Sequence, residues 1–191
     1  MEHKKVVKFL KIVGLIFMIV SYIEISFHIS LNFIEFNYID FAPVLFSDII
    51  YGSNYISLAG TVLWLFMIFS MICYFIVGFF LFKVTRKNKI ETKSLAKFVV
   101  IIGMVVLMGA LVKMNYLVLI GRTGITTYYG RVSIQFAFYD FDISSIAPGI
   151  FWIFFISANC AYLISGVVIT GIGVKWTLLI EEAEKMNNKN S

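Results

Sequence analysis

Glu24 and His28 stand four residues apart in otherwise apolar text, and Lys113 stands in a second apolar stretch. A carboxylate and an imidazole one helical turn apart lie on one face. They could pass a proton, contact a ligand, or pair with a cation. Gly14, Ser21, Glu24 and His28 follow spacings of seven, three and four, which align all four on that face. At an offset of 89 the same pattern reads Gly103, Ala110, Lys113 and Leu117. Small residues recur at the first two positions, and the third carries the opposite charge. Small residues let helices approach closely in lipid, where packing drives association. This predicts that the helices bearing Gly14 and Gly103 face each other, with Glu24 and Lys113 forming an ion pair between them. Each charge lies 16 residues beyond a lysine, Lys8 or Lys97. That is about 24 Å of helix rise, in the outer part of a hydrocarbon core ~30 Å thick. From there Lys113 could snorkel outward.

Other chemistry finds too few groups. The second histidine, His3, precedes the apolar stretch, so a bis-histidine haem or a zinc site lacks partners, and no metal or cofactor is expected. There is no Gly-x-Ser-x-Gly elbow for a nucleophile. Gly121-Arg122-Thr123-Gly124 precedes strand-like text and is no phosphate loop. Asp140 and Asp142 alone read as solvated surface.

The elements that must position these residues are membrane spans. Sixty per cent of the residues are hydrophobic and the mean hydropathy is +0.91. Four stretches reach the roughly 20 apolar residues that cross a bilayer: about 12–29, 56–82, 98–120 and 149–174. The N-terminal lysines and apolar run mimic a secretory signal, but no small-residue cleavage site follows, so the first span is expected to be retained. The chain also repeats itself. Within 57–78, eight residues recur at an offset of 88, among them Trp64 as Trp152, Tyr74 as Tyr162 and Gly78 as Gly166. We therefore expect two copies of one unit of roughly 90 residues: residues 1–89 and 90–177, then a tail, 178–191. An even number of spans per copy makes the repeats parallel, related by a pseudo-twofold axis along the membrane normal.

Basic residues set the orientation. Thirteen of the sixteen Lys and Arg lie before the first span, between the second and third, or after the fourth. The positive-inside rule then places both termini and the middle connection in the cytoplasm. The net charge of +5 is a topology signal, with attraction to anionic inner-leaflet lipid as a consequence. No soluble basic domain exists for nucleic acid. The outer loops, about 30–55 and 121–148, are aromatic-rich and predict a small, partly β extracellular cap. In the second, 132–138 alternates like a half-buried strand, and 125–129 with it reads as a hairpin turning at Gly130-Arg131. Residues 31–41 are rich in strand formers with broken alternation.

Cys73 and Cys160 fall within spans and read as small buried apolar side chains. Ser157, Ala161 and Ser165 form a small-residue stripe for a close partner helix, in this chain or another subunit. Asn115 and Asn159 could hydrogen-bond across helices. After the fourth span, Glu181 and Lys185 are placed for a helical ion pair. The fold class is thus an all-α integral membrane protein of four spans as two tandem helical hairpins. Two outer loops on four spans are similar, in topology alone, to claudin-like and tetraspan proteins; the first loop lacks a Trp…Cys…Cys pattern. The expected role is a non-enzymatic accessory, scaffold or assembly protein of the cell membrane. Its partners would be the bilayer and either other membrane subunits or further copies of itself. The alternative is a small ion or solute transporter or channel with a path near the pseudo-axis.

Overall fold

In the computed structural model, the described residues are 3–36, 43–52, 58–85, 93–127, 130–139 and 146–189. Four long helices dominate: α1 (His3–Leu31), α3 (Leu58–Thr85), α4 (Lys93–Arg122) and α6 (Ile146–Lys189). All four are long and apolar enough to cross a membrane. Between α1 and α3 lie β1 (Glu35–Phe36), β2 (Val44–Leu45) and α2 (Phe46–Tyr51). Between α4 and α6 lie β3 (Gly124–Thr127), β4 (Gly130–Ser133) and α5 (Ile134–Tyr139). The order α, β, β, α, α therefore occurs twice.

Each long helix buries one narrow stripe. On α1 it is Leu10, Gly14, Phe17, Ser21, Glu24, His28 and Leu31; on α4 it is Val99, Gly103, Val106, Ala110, Lys113, Leu117 and Ile120. On α3 it is Trp64, Met67, Met71, Tyr74, Gly78 and Leu81; on α6 it is Trp152, Phe155, Asn159, Tyr162, Gly166 and Ile169. Steps of three and four alternate throughout, the seven-residue spacing of helices that pack along a continuous seam. The opposite faces expose large apolar groups such as Ile16, Ile19, Phe69, Met108 and Val167. Such surfaces suit hydrocarbon rather than water.

Contacts divide the chain into two units: Met1–Ile19, Tyr74–Leu111 and Cys160–Ser191 in the first, Val20–Cys73 and Val112–Asn159 in the second. In the first unit glycines bring backbones together. A methyl group added at Gly14 would sit 2.8 Å from the Gly78 carbonyl oxygen and 2.8 Å from the Phe82 nitrogen. One added at Gly78 would sit 3.0 Å from the Met18 nitrogen. At Gly103 it would lie 2.5 Å from the Thr170 nitrogen, and at Gly166 2.7 Å from the Leu107 nitrogen. Phe82 and Thr170 are 88 positions apart, and Met18 and Leu107 are 89 apart. The glycines thus mark close approaches, but not between the helices expected. Gly14 of α1 meets α3, and Gly103 of α4 meets α6. Consecutive helices are the default neighbours, and each partner helix supplies a matching glycine. Between these contacts Tyr74 and Tyr162 stack, centroids 3.9 Å apart and planes 7° apart. Phe17 meets Tyr162 edge-on at 5.0 Å.

In the second unit the short elements pack with the helix ends. Strand β1 pairs with β2 as Glu35↔Leu45 and Phe36↔Val44. Strand β3 pairs with β4 as Gly124↔Ser133, Ile125↔Val132, Thr126↔Arg131 and Thr127↔Gly130. Ahead of α2, the Phe46 amide donates to the Ile34 carbonyl at 2.9 Å; ahead of α5, the Ile134 amide donates to that of Thr123, also at 2.9 Å. Phe36, Phe46, Ile49, Ile125, Ile134 and Phe138 join Trp64 and Trp152 in one buried cluster.

Several expectations for the outer loops change. Strand β4 ends at Ser133, and 134–139 is helical rather than extended. Ser133 Oγ accepts the Phe136 amide at 3.2 Å, capping a free donor of the first turn. Ile134, Ala137 and Phe138 are then buried together, at helical spacing. Gly130 and Arg131 belong to strand β4, with Gly130 paired to Thr127 and Arg131 to Thr126; residues 128 and 129 lie outside the described residues, as do Asp140 and Asp142. Among the described residues of 31–41, Glu35–Phe36 form the two-residue strand β1, and the rest of that stretch, 37–41, lies outside the described residues.

Candidate functional site

Among the described residues, five of the six buried polar side chains, Ser21, Glu24, His28, Lys113 and Asn159, lie on the inward stripes of the second unit; the sixth, Thr85, is in the first and bonds its own helix at the Leu81 carbonyl. Glu24 on α1 and Lys113 on α4 are both 0% exposed. The Lys113 ammonium donates to Glu24 Oε1. Lys113 therefore does not snorkel to the membrane edge, as its depth had suggested. Its place on the α4 stripe, between Ala110 and Leu117, points it inward, where the carboxylate compensates its charge. An uncompensated charge shut away from water is costly wherever it lies in the span, so each member is tolerated because the other is present.

His28 follows Glu24 by one turn and is 3% exposed. Its ring stacks on Trp64 of α3, centroids 4.1 Å apart and planes 21° apart. Phe46 meets the same indole edge-on at 5.2 Å. Among the described residues His28 Nδ1 has no hydrogen-bond partner. The His28 carbonyl accepts from Asn32 Nδ2 at 3.2 Å. The histidine is thus held by aromatic packing on one side and its own helix on the other. Ser21 and Asn159 are also fully buried in this unit. Asn115 is exposed.

The small-residue stripe behaves differently. Ser157 and Ala161 are exposed and Ser165 is half-buried. The bulky Trp152, Phe155 and Tyr162, with Gly166, fix the rotation of α6, and the seven-residue register leaves Ser157 and Ala161 outside it. Cys73 and Cys160 are exposed too, not buried as expected: each adjoins a stripe position, Tyr74 or Asn159, without occupying one. A thiol is apolar enough to face hydrocarbon. Near the α4 start, Glu181 is bonded by Lys93 at 3.0 Å, and Lys93 also reaches Glu184 at 3.4 Å; the direct bridge of Glu181 therefore runs between helices, while Lys185 along α6 acts on it through its charge.

What this arrangement can do follows from its closure. Glu24 and Lys113 neutralise one another, so neither is a free base or acid while the pair is intact. Among the described residues no three His, Cys, Asp or Glu side chains cluster as metal ligands. Trp64, Trp152, Tyr74 and Tyr162 surround the helix seams as the large anchors, and residue type alone did not single them out. Their signal in the sequence was recurrence at an offset of 88. The fold and site define a chain with four candidate membrane-crossing helices, the mark of a multi-pass membrane protein. No protein-family model, curated protein or solved structure matches it.

Proposed function

We propose that this chain is a non-enzymatic accessory or assembly protein of the cell membrane. The observation that carries the reading is the use of the buried charges. Glu24 and Lys113 are spent on each other at 0% exposure, and the Tyr74–Tyr162 stack fills the seam of the first unit. Such an interior suits a rigid membrane element better than a solute path. Purification in mild detergent and reconstitution into liposomes test this. A stable larger complex and no ion or solute flux are expected. A lone homo-oligomer that moves ions, and loses that flux in Glu24→Gln, would establish the transporter reading instead.

The architecture we propose is two tandem parallel hairpins, 1–89 and 90–177, with the tail 178–191. Support comes from matched contacts. Pairs Glu35↔Leu45 and Phe36↔Val44 correspond to Gly124↔Ser133 and Ile125↔Val132 at offsets of 89 and 88. The glycine contacts of α1 with α3 and of α4 with α6 correspond in the same way. The distribution of basic residues favours cytoplasmic termini by the positive-inside rule. In a variant lacking Cys73 and Cys160, single cysteines at Ser53 and Asn188 are probed on intact cells with an impermeant thiol reagent. Labelling at 53 and not at 188 is expected; the reverse pattern overturns the orientation.

A further inference from the structure

The first unit carries a groove of about 400 Å³ that the preceding reading leaves unused. It is lined by Lys97, Val100 and Ile101 of α4 and by Val174, Thr177 and Leu178 of α6. Thr177 spends its hydroxyl on the Gly173 carbonyl at 3.0 Å, so its polar group needs nothing from an occupant. A methyl at Gly173 would lie 2.7 Å from the Val100 nitrogen. The two backbones thus close together at that point. One turn from Val174, Gly171 has nothing within 4 Å of where its side chain would be. Space therefore continues along the exposed face of α6. The volume falls within the range of about 300–1,000 Å³ typical of sites for small organic molecules.

Charge distinguishes one edge of the groove. Lys93 is engaged by Glu181 and Glu184. Lys97, one turn further along α4, is exposed and makes no salt bridge among the described residues, although its charge is felt at the Glu181 carboxylate that Lys93 bonds. Lys175, beside Val174, is exposed as well. An apolar furrow with a lysine at its edge matches an amphiphile that has a hydrocarbon chain and an anionic head. We propose that this groove is a binding site for one anionic phospholipid, with its acyl chain along Val100, Ile101 and Val174, its phosphate at Lys97 and Leu178 beside the headgroup end. The site does not depend on the accessory role, since it uses none of the buried polar residues.

The test uses full-length protein in mild detergent, exposed to equal amounts of phosphatidylglycerol and phosphatidylcholine, with bound lipids counted by native mass spectrometry. One retained phosphatidylglycerol per chain is expected, in preference to phosphatidylcholine. Lys97→Gln should lower that preference by about fivefold, the share of one lysine near an anionic headgroup. Lys83→Gln, an exposed lysine of α3 that does not line the groove, should leave it unchanged. Gly171→Phe has room for its ring and should lower retention of both lipids by blocking the furrow. Equal retention of the two lipids by the parent protein overturns the proposal. So does an equal loss in Lys97→Gln and Lys83→Gln, or a groove covered by a second copy of the chain.

Discussion

In the first unit α1 meets α3 through Gly14 and Gly78, where no side chain fits between the backbones. In the second unit the same helix meets α4 through Glu24 and Lys113, two of the longer polar side chains available. The two contacts constrain sequence in different ways. A glycine contact is steric: every larger residue forces the helices apart, and no change on the partner restores the lost approach, because the partner atoms are backbone. An ion pair is energetic: either member alone is intolerable in hydrocarbon, yet both can be replaced together by apolar groups of similar size. The first contact holds separation and the second holds register.

The sharpest way to break this contrast is a double-mutant cycle on the pair. Glu24→Gln or Lys113→Met alone leaves a buried charge uncompensated, and should destabilise by about 3–5 kcal/mol. The double variant should recover most of that loss, because the desolvated charges go together. Thermal unfolding in detergent measures all three. Single variants as stable as the parent would show that the two charges reach solvent by some other route. A double variant no better than its parents would mean that the pair supplies net stabilisation of its own.

At the glycine contact the cycle should fail in the opposite manner. Gly14→Leu or Gly103→Leu drives atoms into backbone 2.5–2.8 Å away, and overpacking of this kind costs about 1–3 kcal/mol, occasionally more. Shortening a neighbour, for example Leu81→Ala beside Gly14, should deepen the loss rather than relieve it. Its Cβ stays in place while the buried isobutyl group goes. Unchanged melting temperatures for both glycine variants would mean that these residues face lipid and that the close approaches do not form.

These two contacts also show what could be read from the chain alone. The approach of Glu24 to Lys113 was legible because opposite charges at matching depth in hydrocarbon have few alternatives to each other. That Gly14 and Gly103 sit at close approaches was legible too, since small residues on a polar stripe serve little else. Their partners were not. A glycine carries no mark of what touches it; the matching Gly78 lies in a stretch apolar all round, and Gly166 lies beside a small-residue stripe, Ser157, Ala161 and Ser165, that pointed to a different face. The rotation of α3 and α6 is instead fixed by Trp64, Tyr74, Trp152 and Tyr162, whose size decides it. The same ambiguity hid the outward placement of Cys73, Cys160, Ser157 and Ala161. In the outer loops the alternation of 132–138 suited a strand equally well; the cap from Ser133 and the burial of Ile134, Ala137 and Phe138 tipped it to a helix. That choice depends on the Trp152 cluster, which local sequence does not contain.

Helix α5 offers a smaller test of the same point. Ser133→Ala removes the acceptor for the Phe136 amide and should cost about 1 kcal/mol, within the usual range for an N-cap. Ser133→Asp, which keeps an acceptor in reach, should recover it. Loss without recovery would mean that the serine acts through the β3–β4 ladder and not through the helix start.

The smallest expected effect separates the inward seam of α6 from its small-residue stripe. Ala161→Leu and Ser157→Leu place a branched apolar side chain on an exposed face. If that face meets only hydrocarbon, each variant should stay within about 0.5 kcal/mol of the parent, as surface substitutions do. Gly166→Leu, on the seam of the same helix, must displace the Leu107 backbone and should be far worse. The comparison is made on dilute protein, where contacts between copies are lost, and again on protein concentrated enough to associate. Destabilisation of Ala161→Leu at both concentrations would place the stripe against another part of this chain and overturn the rotation assigned to α6. Destabilisation only in the associated state would leave that rotation intact. It would identify the stripe as the surface through which this protein meets another copy of itself.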